Sequence, residues 1–191
     1  MKIKKFIGLF MFVCLFMAEA NAQKTVIKTN LLYDATANAN VAIETRLAPL
    51  WTAEVSGIFN LWKKQWRNYV LQPELRRWIC RPFAGHFFGA HLLGGQYNIG
   101  HLDMDFKMLG TDFGKLKDSR YQGWFAGAGI AYGYDWVLNR RWNIEAEIGF
   151  GWTYTRYDRF NCAGCGQKVE SGKSHNYVGP TKAAVNLIYV F

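Results

Sequence analysis

Cys162 and Cys165 form a Cys-x-x-Cys motif, the residue pair in this chain whose spacing most directly suggests chemistry. Such a pair can be a redox centre, half of a zinc site or a small loop disulfide. Thioredoxin-type chemistry needs the motif at a helix N-terminus, and zinc needs about four ligands. The motif lies in a Gly-rich stretch, where Asp158 and His175 are further ligand candidates without a recognisable spacing. We expect a local disulfide or free thiols. The one other cysteine beyond residue 22 is Cys80.

Acid–base chemistry would fall to histidines and paired carboxylates. No serine or acidic residue is spaced from a histidine in a way that indicates a catalytic triad. Glu145 and Glu147 could transfer protons, but that chemistry needs a substrate cavity. The sequence therefore predicts no catalytic residue, no cofactor and no metal site. The histidines considered are His86, His91, His101 and His175.

Alternation of apolar and polar residues with a period of two predicts eight β-strands that position these groups. In segment 142–155, apolar and aromatic residues fill most even positions, while Asn, Glu, Gly and Thr fill the odd ones. Pro73 removes one ladder donor and predicts an irregularity in the fourth strand. The predicted strands cover residues 24–35, 41–47, 51–60, 69–79, 83–99, 121–136, 142–155 and 177–191.

The connections between these strands alternate in length. Those after strands two, four and six are short, while those after three, five and seven are long. Eight strands are the smallest usual closed membrane barrel, and this loop pattern is typical of barrels with short periplasmic turns and long extracellular loops. The sequence therefore predicts an all-β, eight-stranded antiparallel up-and-down transmembrane β-barrel of the small outer-membrane type.

The polar faces of the predicted strands carry eight charged residues. Facing lipid near the midplane, a basic residue would cost about 2–4 kcal/mol, so we expect these residues to point inward. Side chains fill an eight-stranded interior, which predicts an ion-pair network and not a wide pore. A soluble barrel has the same alternation with its faces inverted, and periodicity does not separate the two. The predicted network comprises Glu44, Arg46, Glu54, Glu74, Arg76, Glu145, Glu147 and Lys182.

Both ends of the sequence carry targeting patterns. A basic start is followed by the apolar run 6–17 and then by Ala20-Asn21-Ala22, which predicts a signal peptide over residues 1–22 and a barrel domain over 23–191. The last strand ends in Tyr189-Val190-Phe191. Tyr189 and Phe191 resemble the C-terminal signal that the barrel-assembly machinery reads during insertion.

Composition restricts the class further. Half of the residues are hydrophobic and 17% are aromatic, yet mean hydropathy is −0.11, and no stretch after the leader approaches the roughly 18 apolar residues of a membrane helix. The formal charge is +9, but export and dispersed basic residues argue against nucleic acid. We expect the positive charge to face outer-membrane lipid and lipopolysaccharide phosphates.

Four short segments resemble a known family. They are 28–35, 40–44, 72–76 with Trp78, and 177–182. Together they resemble an uncharacterised, DUF3575-like family of outer-membrane β-barrels in Gram-negative gut anaerobes, over nearly the whole mature chain. The resemblance implies an outer-membrane location and a role near fimbrial or other surface proteins. It supplies no catalytic residue.

Three functional hypotheses follow. The first is a structural or interaction barrel in the outer membrane of a Gram-negative bacterium, with segments 100–120 and 157–176 exposed to surface or fimbrial partners. The second is a lipid- or envelope-modifying enzyme of the same architecture. The third is a soluble periplasmic ligand-binding barrel of lipocalin type, although the chain lacks a Gly-x-Trp near its first strand.

Overall fold

The computed structural model describes residues 25–60, 66–100, 107–108, 111–112, 120–161 and 168–191. The predicted signal peptide, His101 and the pair Cys162 and Cys165 lie outside the described residues. The elements are β1 (Thr25–Asn30), α1 (Leu31–Ala35), β2 (Ala39–Ala48), β3 (Trp51–Asn60), β4 (Trp66–Trp78), β5 (Gly85–Gly100), β6 (Lys107–Met108), β7 (Thr111–Asp112), β8 (Arg120–Val137), β9 (Trp142–Phe160) and β10 (Lys168–Val190).

Eight of the strands form one closed, ring-like sheet. Each pairs antiparallel with its neighbours in the order β1-β10-β9-β8-β5-β4-β3-β2, and the β1–β10 pairing closes the ring. The short strands β6 and β7 pair separately. The prediction of an all-β chain with eight antiparallel up-and-down strands is confirmed.

The ring has two unlike ends. Residues 49–50, 79–84 and 138–141 connect strands at one end, which we call the short-turn end, and β1 begins there. The connections after β1, β3, β5 and β9 lie at the other end, which we call the long-loop end. Among the described residues, no helix is both long and apolar enough to cross a membrane.

Side-chain burial alternates along the strands, and the buried face is the polar one. In β9, Glu145 is fully buried and Glu147 is 5% exposed, whereas Ile148 and Phe150 are about half exposed, at 50% and 51%. The same arrangement recurs around the ring. The charged residues therefore point inward and the large apolar ones outward, which is the opposite of the orientation expected for the soluble, lipocalin-like alternative.

The predicted first strand, 24–35, is wrong beyond Asn30, where the chain turns into α1. The side-chain oxygen of Asn30 accepts a hydrogen bond from Leu32 N at 3.1 Å and caps the helix. Asn40 fixes this corner, because its side chain donates to Asp34 Oδ1 at 2.7 Å and accepts from Asn30 N at 2.6 Å. Apolar alternation continues through Leu31–Tyr33, so the sequence pattern does not indicate that β1 ends at Asn30.

The predicted long loop 157–176 is also wrong for most of its length. β9 continues to Phe160 and β10 begins at Lys168, so the two strands form an extended hairpin. Both faces of this hairpin carry polar residues, and an alternation test does not detect it. Segment 100–120 contains the β6–β7 pair between its described ends.

Pro73 interrupts pairing without changing the register. Leu71 pairs with Gly94 and Glu74 with His91, while Gln72 and Pro73 have no partner in β5. The predicted irregularity is present, but it is a gap and not a bulge. A true register shift lies in β10 between Pro180 and Lys182.

Aromatic side chains fill the interior at the short-turn end. The Trp78 and Phe87 rings lie 4.8 Å apart, Phe83 lies 6.0 Å from Trp78, and Trp78 Nε1 donates to Thr52 Oγ1 at 2.9 Å. Trp78 and Phe87 are almost completely buried. This layer separates the charged centre of the ring from the short turns.

Candidate functional site

A charged cluster occupies the interior of the ring. Among the described residues, three basic and six acidic side chains are buried there. They come from β1, β2, β3, β4, β8, β9 and β10, so nearly every strand contributes. The basic residues are Lys28, Arg76 and Lys182, and the acidic ones are Glu44, Glu54, Glu74, Asp135, Glu145 and Glu147.

Arg76 is the centre of this cluster. Its side chain is fully buried, and it also stacks over Phe87, with Cζ 4.4 Å from the ring centroid. A planar guanidinium presents five donors and can serve several carboxylates at once. Its partners are Glu74 at 2.6 Å, Glu147 at 2.7 Å, Glu44 at 2.8 Å, Glu54 at 2.9 Å and Glu145 at 2.9 Å.

Lys28 bridges the carboxylates nearest to β1. Its Nζ pairs with Glu44, with Glu54 at 3.0 Å and with Glu145 at 2.8 Å. Alternation within β1 puts Lys28 on the same face as the buried Val26 and Asn30. That pattern could have identified Lys28 as an interior residue, and the sequence prediction missed it.

Lys182 lies among the three carboxylates that could hold a metal ion. One oxygen from each of Glu54, Glu74 and Glu147 lies within 4.8 Å of the others. Lys182 Nζ is 3.1 Å, 2.6 Å and 3.0 Å from these residues respectively. The ammonium group occupies the position a cation would take, so the group serves as an ion-pair site.

Arg46 does not join the cluster, and its predicted place there is wrong. The guanidinium instead donates to the Ala48 carbonyl at 3.1 Å and the Pro49 carbonyl at 3.3 Å. Arg46 still pairs in register with the buried Thr52, so it lies on the inner face, but beside the short turns and beyond the cluster. The other seven predicted residues lie together in the cluster.

Asp135 is a buried carboxylate that the sequence prediction also missed. It shares the Gly-rich face of β8 and is 2% exposed. Neither of its oxygens makes an ion pair or has a hydrogen-bond partner in the described part of the chain. Since unpaired buried carboxylates are costly, Asp135 reduces the stability of the cluster.

His91, Thr181 and Glu74 show the order of groups found in hydrolase triads. Thr181 Oγ1 lies 2.9 Å from His91 Nε2, and Glu74 Oε2 lies 3.8 Å from His91 Nδ1. The imidazole is 2% exposed and packs against Gly129 and Gly149, where a Cβ would collide with it. Neither His91 nor Thr181 lines the cavity at the long-loop end or the smaller cavity beside Tyr33 and Lys182.

A cavity of about 740 Å³ lies at the long-loop end. Ligand sites usually measure about 300–1,000 Å³. Its wall comes from the far ends of β4, β5, β8, β9 and β10, and it is basic and aromatic. The residues that give it this character are Arg67, Tyr97, Trp124, Arg156, Tyr157 and Lys168.

Two arginines in this wall have no described partner. Lys168 Nζ donates to Asp158 Oδ2 at 2.7 Å, and the Gly172 amide donates to Asp158 Oδ1 at 2.8 Å. Arg67 and Arg156 are exposed and make no hydrogen bond or ion pair within the described ranges. The cavity therefore keeps an excess of unpaired positive charge.

The closed sheet, its charged interior and its apolar outer face define an inside-out β-protein in which polar groups form the core. Over residues 8–191 the chain matches the family model described as "Protein of unknown function (DUF3575)", and it belongs to this family. The comparison with curated proteins found no match.

Proposed function

We propose that this protein is a small transmembrane β-barrel of a Gram-negative outer membrane, with a structural or interaction role at the cell surface. The observation that carries the proposal is the inverted burial of the closed sheet. Charged residues such as Arg76 and Glu145 are fully buried, while apolar ones such as Leu92 and Ile130 are 61% and 72% exposed.

An apolar outer surface on a closed sheet suits a lipid environment. A closed ring has no free strand edge, so its backbone groups can pair with neighbouring strands, as a hydrocarbon environment requires. A strand of about ten residues tilted by about 45° spans roughly 23 Å, close to the apolar band of such barrels. Trp142 and Phe191 are exposed near strand ends, as expected for aromatic girdles.

The unlike ends support an orientation. Short turns are typical of the periplasmic side and longer connections of the outside. We infer that the long-loop end faces outward, with segments 100–120 and 157–176 available to a surface or fimbrial protein. Export through the leader 1–22 and insertion by the barrel-assembly machinery, through Tyr189 and Phe191, belong to the same proposal.

The proposal assigns the interior a structural role and no catalytic step. In its support, seven of the nine buried charged residues named above pair through Arg76 or Lys28 alone, and Lys182 completes three further pairs. No residue of the triad-like group of His91, Thr181 and Glu74 lines either of the two cavities described above. Glu74 is engaged by Arg76 and Lys182.

Membrane fractionation combined with heat-modifiable gel migration tests the proposal. We expect the protein in the outer-membrane fraction, a need for detergent, and different migration of unboiled and boiled samples. A detergent-free monomer in the periplasm with no heat shift would contradict it. That result would favour the soluble, lipocalin-like alternative.

A further inference from the structure

Eight of the residues that line the long-loop cavity form two rows that run across four strands. Other lining residues, such as Tyr97 and Tyr157, alternate with the inner face of the sheet. Register places Tyr69 of β4, Gln96 of β5, Trp124 of β8 and Arg156 of β9 side by side. The next row toward the loops is Arg67, Asn98, Gln122 and Asp158. All eight residues line the cavity, and we call them the outer panel.

The outer panel belongs to the outward-facing side of the sheet. In β4, Arg67 and Tyr69 follow the alternation of Leu71 and Leu75, which are 55% and 44% exposed. In β9, Arg156 likewise shares its alternation with the exposed Trp152. The panel is therefore continuous with the apolar outer surface, and it lies where that surface becomes polar.

Small residues form a strip directly below the panel, which we call the furrow. The adjacent row is Leu71, Gly94, Ala126 and Tyr154, and Ala128 follows Ala126 on the same face of β8. Gly94, Ala126 and Ala128 carry little side-chain volume between the larger Leu71 and Tyr154. The space that these small side chains leave suits a hydrocarbon chain that runs along the strands.

Among the described residues, the positive charge of the long-loop end lies on the side of the ring that β4 to β10 form. Within residues 25–60, which form β1 to β3, the basic residues are Lys28 inside the ring and Arg46 near the short turns. No described basic residue of β1 to β3 lies at the long-loop end. In the described part of the chain, Arg67 and Arg156 therefore belong to a basic arc that β4, β8, β9 and β10 supply.

We propose that the outer panel binds the phosphate-bearing head group of an amphiphile, whose hydrocarbon chains occupy the furrow below it. Arg67 and Arg156 would contact the phosphate, since exposed arginines without partners provide planar, bidentate donors. Trp124 and Tyr69 offer ring faces, and Gln96, Asn98 and Gln122 offer amides, which suits a sugar that carries the phosphate. This inference rests on the proposed membrane location and names the lipid partner of that surface.

Two lipids share this chemistry: the phosphorylated glycolipid of lipopolysaccharide and an anionic phospholipid. The test uses delipidated protein in detergent and native mass spectrometry, with diphosphorylated lipid A, dephosphorylated lipid A and phosphatidylglycerol as probes. Tight binding of diphosphorylated lipid A alone identifies the glycolipid. Equal binding of phosphatidylglycerol identifies the phospholipid and keeps the phosphate site.

Substitutions locate the site. We expect Arg67→Gln with Arg156→Gln to weaken binding of the phosphorylated probe about 20- to 30-fold, since each basic residue contributes on the order of a fivefold effect at a membrane surface. Arg77→Gln with Arg141→Gln, at the short-turn end, is the matched control and should change binding less than twofold. Ala126→Leu fills the furrow and should weaken lipid binding, although it leaves the charge of the panel unchanged.

The result that overturns the inference is unchanged binding in the Arg67 and Arg156 double variant, or equal binding of the dephosphorylated probe. Heat-modifiable migration of each variant shows that it is folded. If the protein needs no detergent and shows no heat shift, the membrane proposal fails first. If it is a heat-modifiable membrane barrel whose lipid binding ignores the panel, this inference alone fails.

Discussion

The interior cluster and the outer panel both contain arginine, but in opposite environments. Arg76 is fully buried and contacts five carboxylates. Arg67 and Arg156 are exposed and contact none in the described part of the chain. A buried charge needs a partner because an unpaired charge in a low-dielectric interior is costly. An exposed charge is solvated and remains available to bind a ligand. The comparison separates charge that holds the fold from charge that is free to bind.

The largest expected effect comes from removing the cation that the cluster surrounds. Arg76→Met should lower the free energy of unfolding by about 3–5 kcal/mol, because five carboxylates lose their shared partner. Urea unfolding in detergent, followed by tryptophan fluorescence, measures it. Arg46→Met is the matched control, since Arg46 donates only to turn carbonyls, and it should cost about 1 kcal/mol or less. Equal losses in both variants would contradict the central role of Arg76.

Lys182→Ala tests whether the ammonium takes the place of a metal ion. We expect a loss of about 3 kcal/mol, because Glu54, Glu74 and Glu147 then face one another. Their oxygens lie within 4.8 Å of one another, so Ca²⁺ should recover part of the loss in the variant. Urea midpoints with and without Ca²⁺ measure this. Wild-type protein is the control and should not respond, and an unresponsive variant would show that the three carboxylates do not bind a cation.

Asp135→Asn should stabilise the protein. The carboxylate of Asp135 has no hydrogen-bond partner in the described residues, and it adds negative charge to a cluster in which acids outnumber bases. An amide of the same shape removes that charge, and we expect a gain of about 1 kcal/mol in the free energy of unfolding. Glu145→Gln is the comparison, because Glu145 pairs with both Lys28 and Arg76 and should lose stability. A loss in Asp135→Asn would mean that the carboxylate has a partner outside the described residues.

The smallest effect on stability is expected in the outer panel. Arg67→Gln and Arg156→Gln, singly or together, should change the free energy of unfolding by no more than about 0.5 kcal/mol. The same urea titrations measure it, with Arg76→Met as the opposite extreme. A loss as large as that of Arg76→Met would show that the panel arginines hold the fold, and the contrast between the two regions would disappear.

Alternation accounts for what the sequence predicts well. It assigns seven residues of the cluster to one face, because a strand in a closed sheet sends successive side chains to opposite sides. It fails where the strand itself changes. Arg46 keeps the alternation, but it lies at the last step before the register shift and donates to the turn carbonyls. The cap at Asn30 ends β1 although Leu31–Tyr33 continue the pattern.

Other features depend on information that alternation does not contain. The outer panel requires the register of four strands, since Arg67 and Asp158 are neighbours in a row only through β5 and β8. The meeting of His91 with Thr181 requires the shift in β10. Alternation does place Lys28 correctly, because it shares a face with two buried residues of β1.

The charged core also constrains how the sheet can assemble. Because side chains alternate with a period of two, sliding any one strand by a single residue would turn its glutamates or its arginine out toward the surface and its leucines into the ion pairs. A mispaired sheet would therefore be penalised on both faces at once. Arg76 reaches acids on β2, β3 and β9, so its contacts are complete only when strands from opposite sides of the chain have met. The ion pairs of the cluster therefore stabilise only the sheet that has closed with the correct strand pairing.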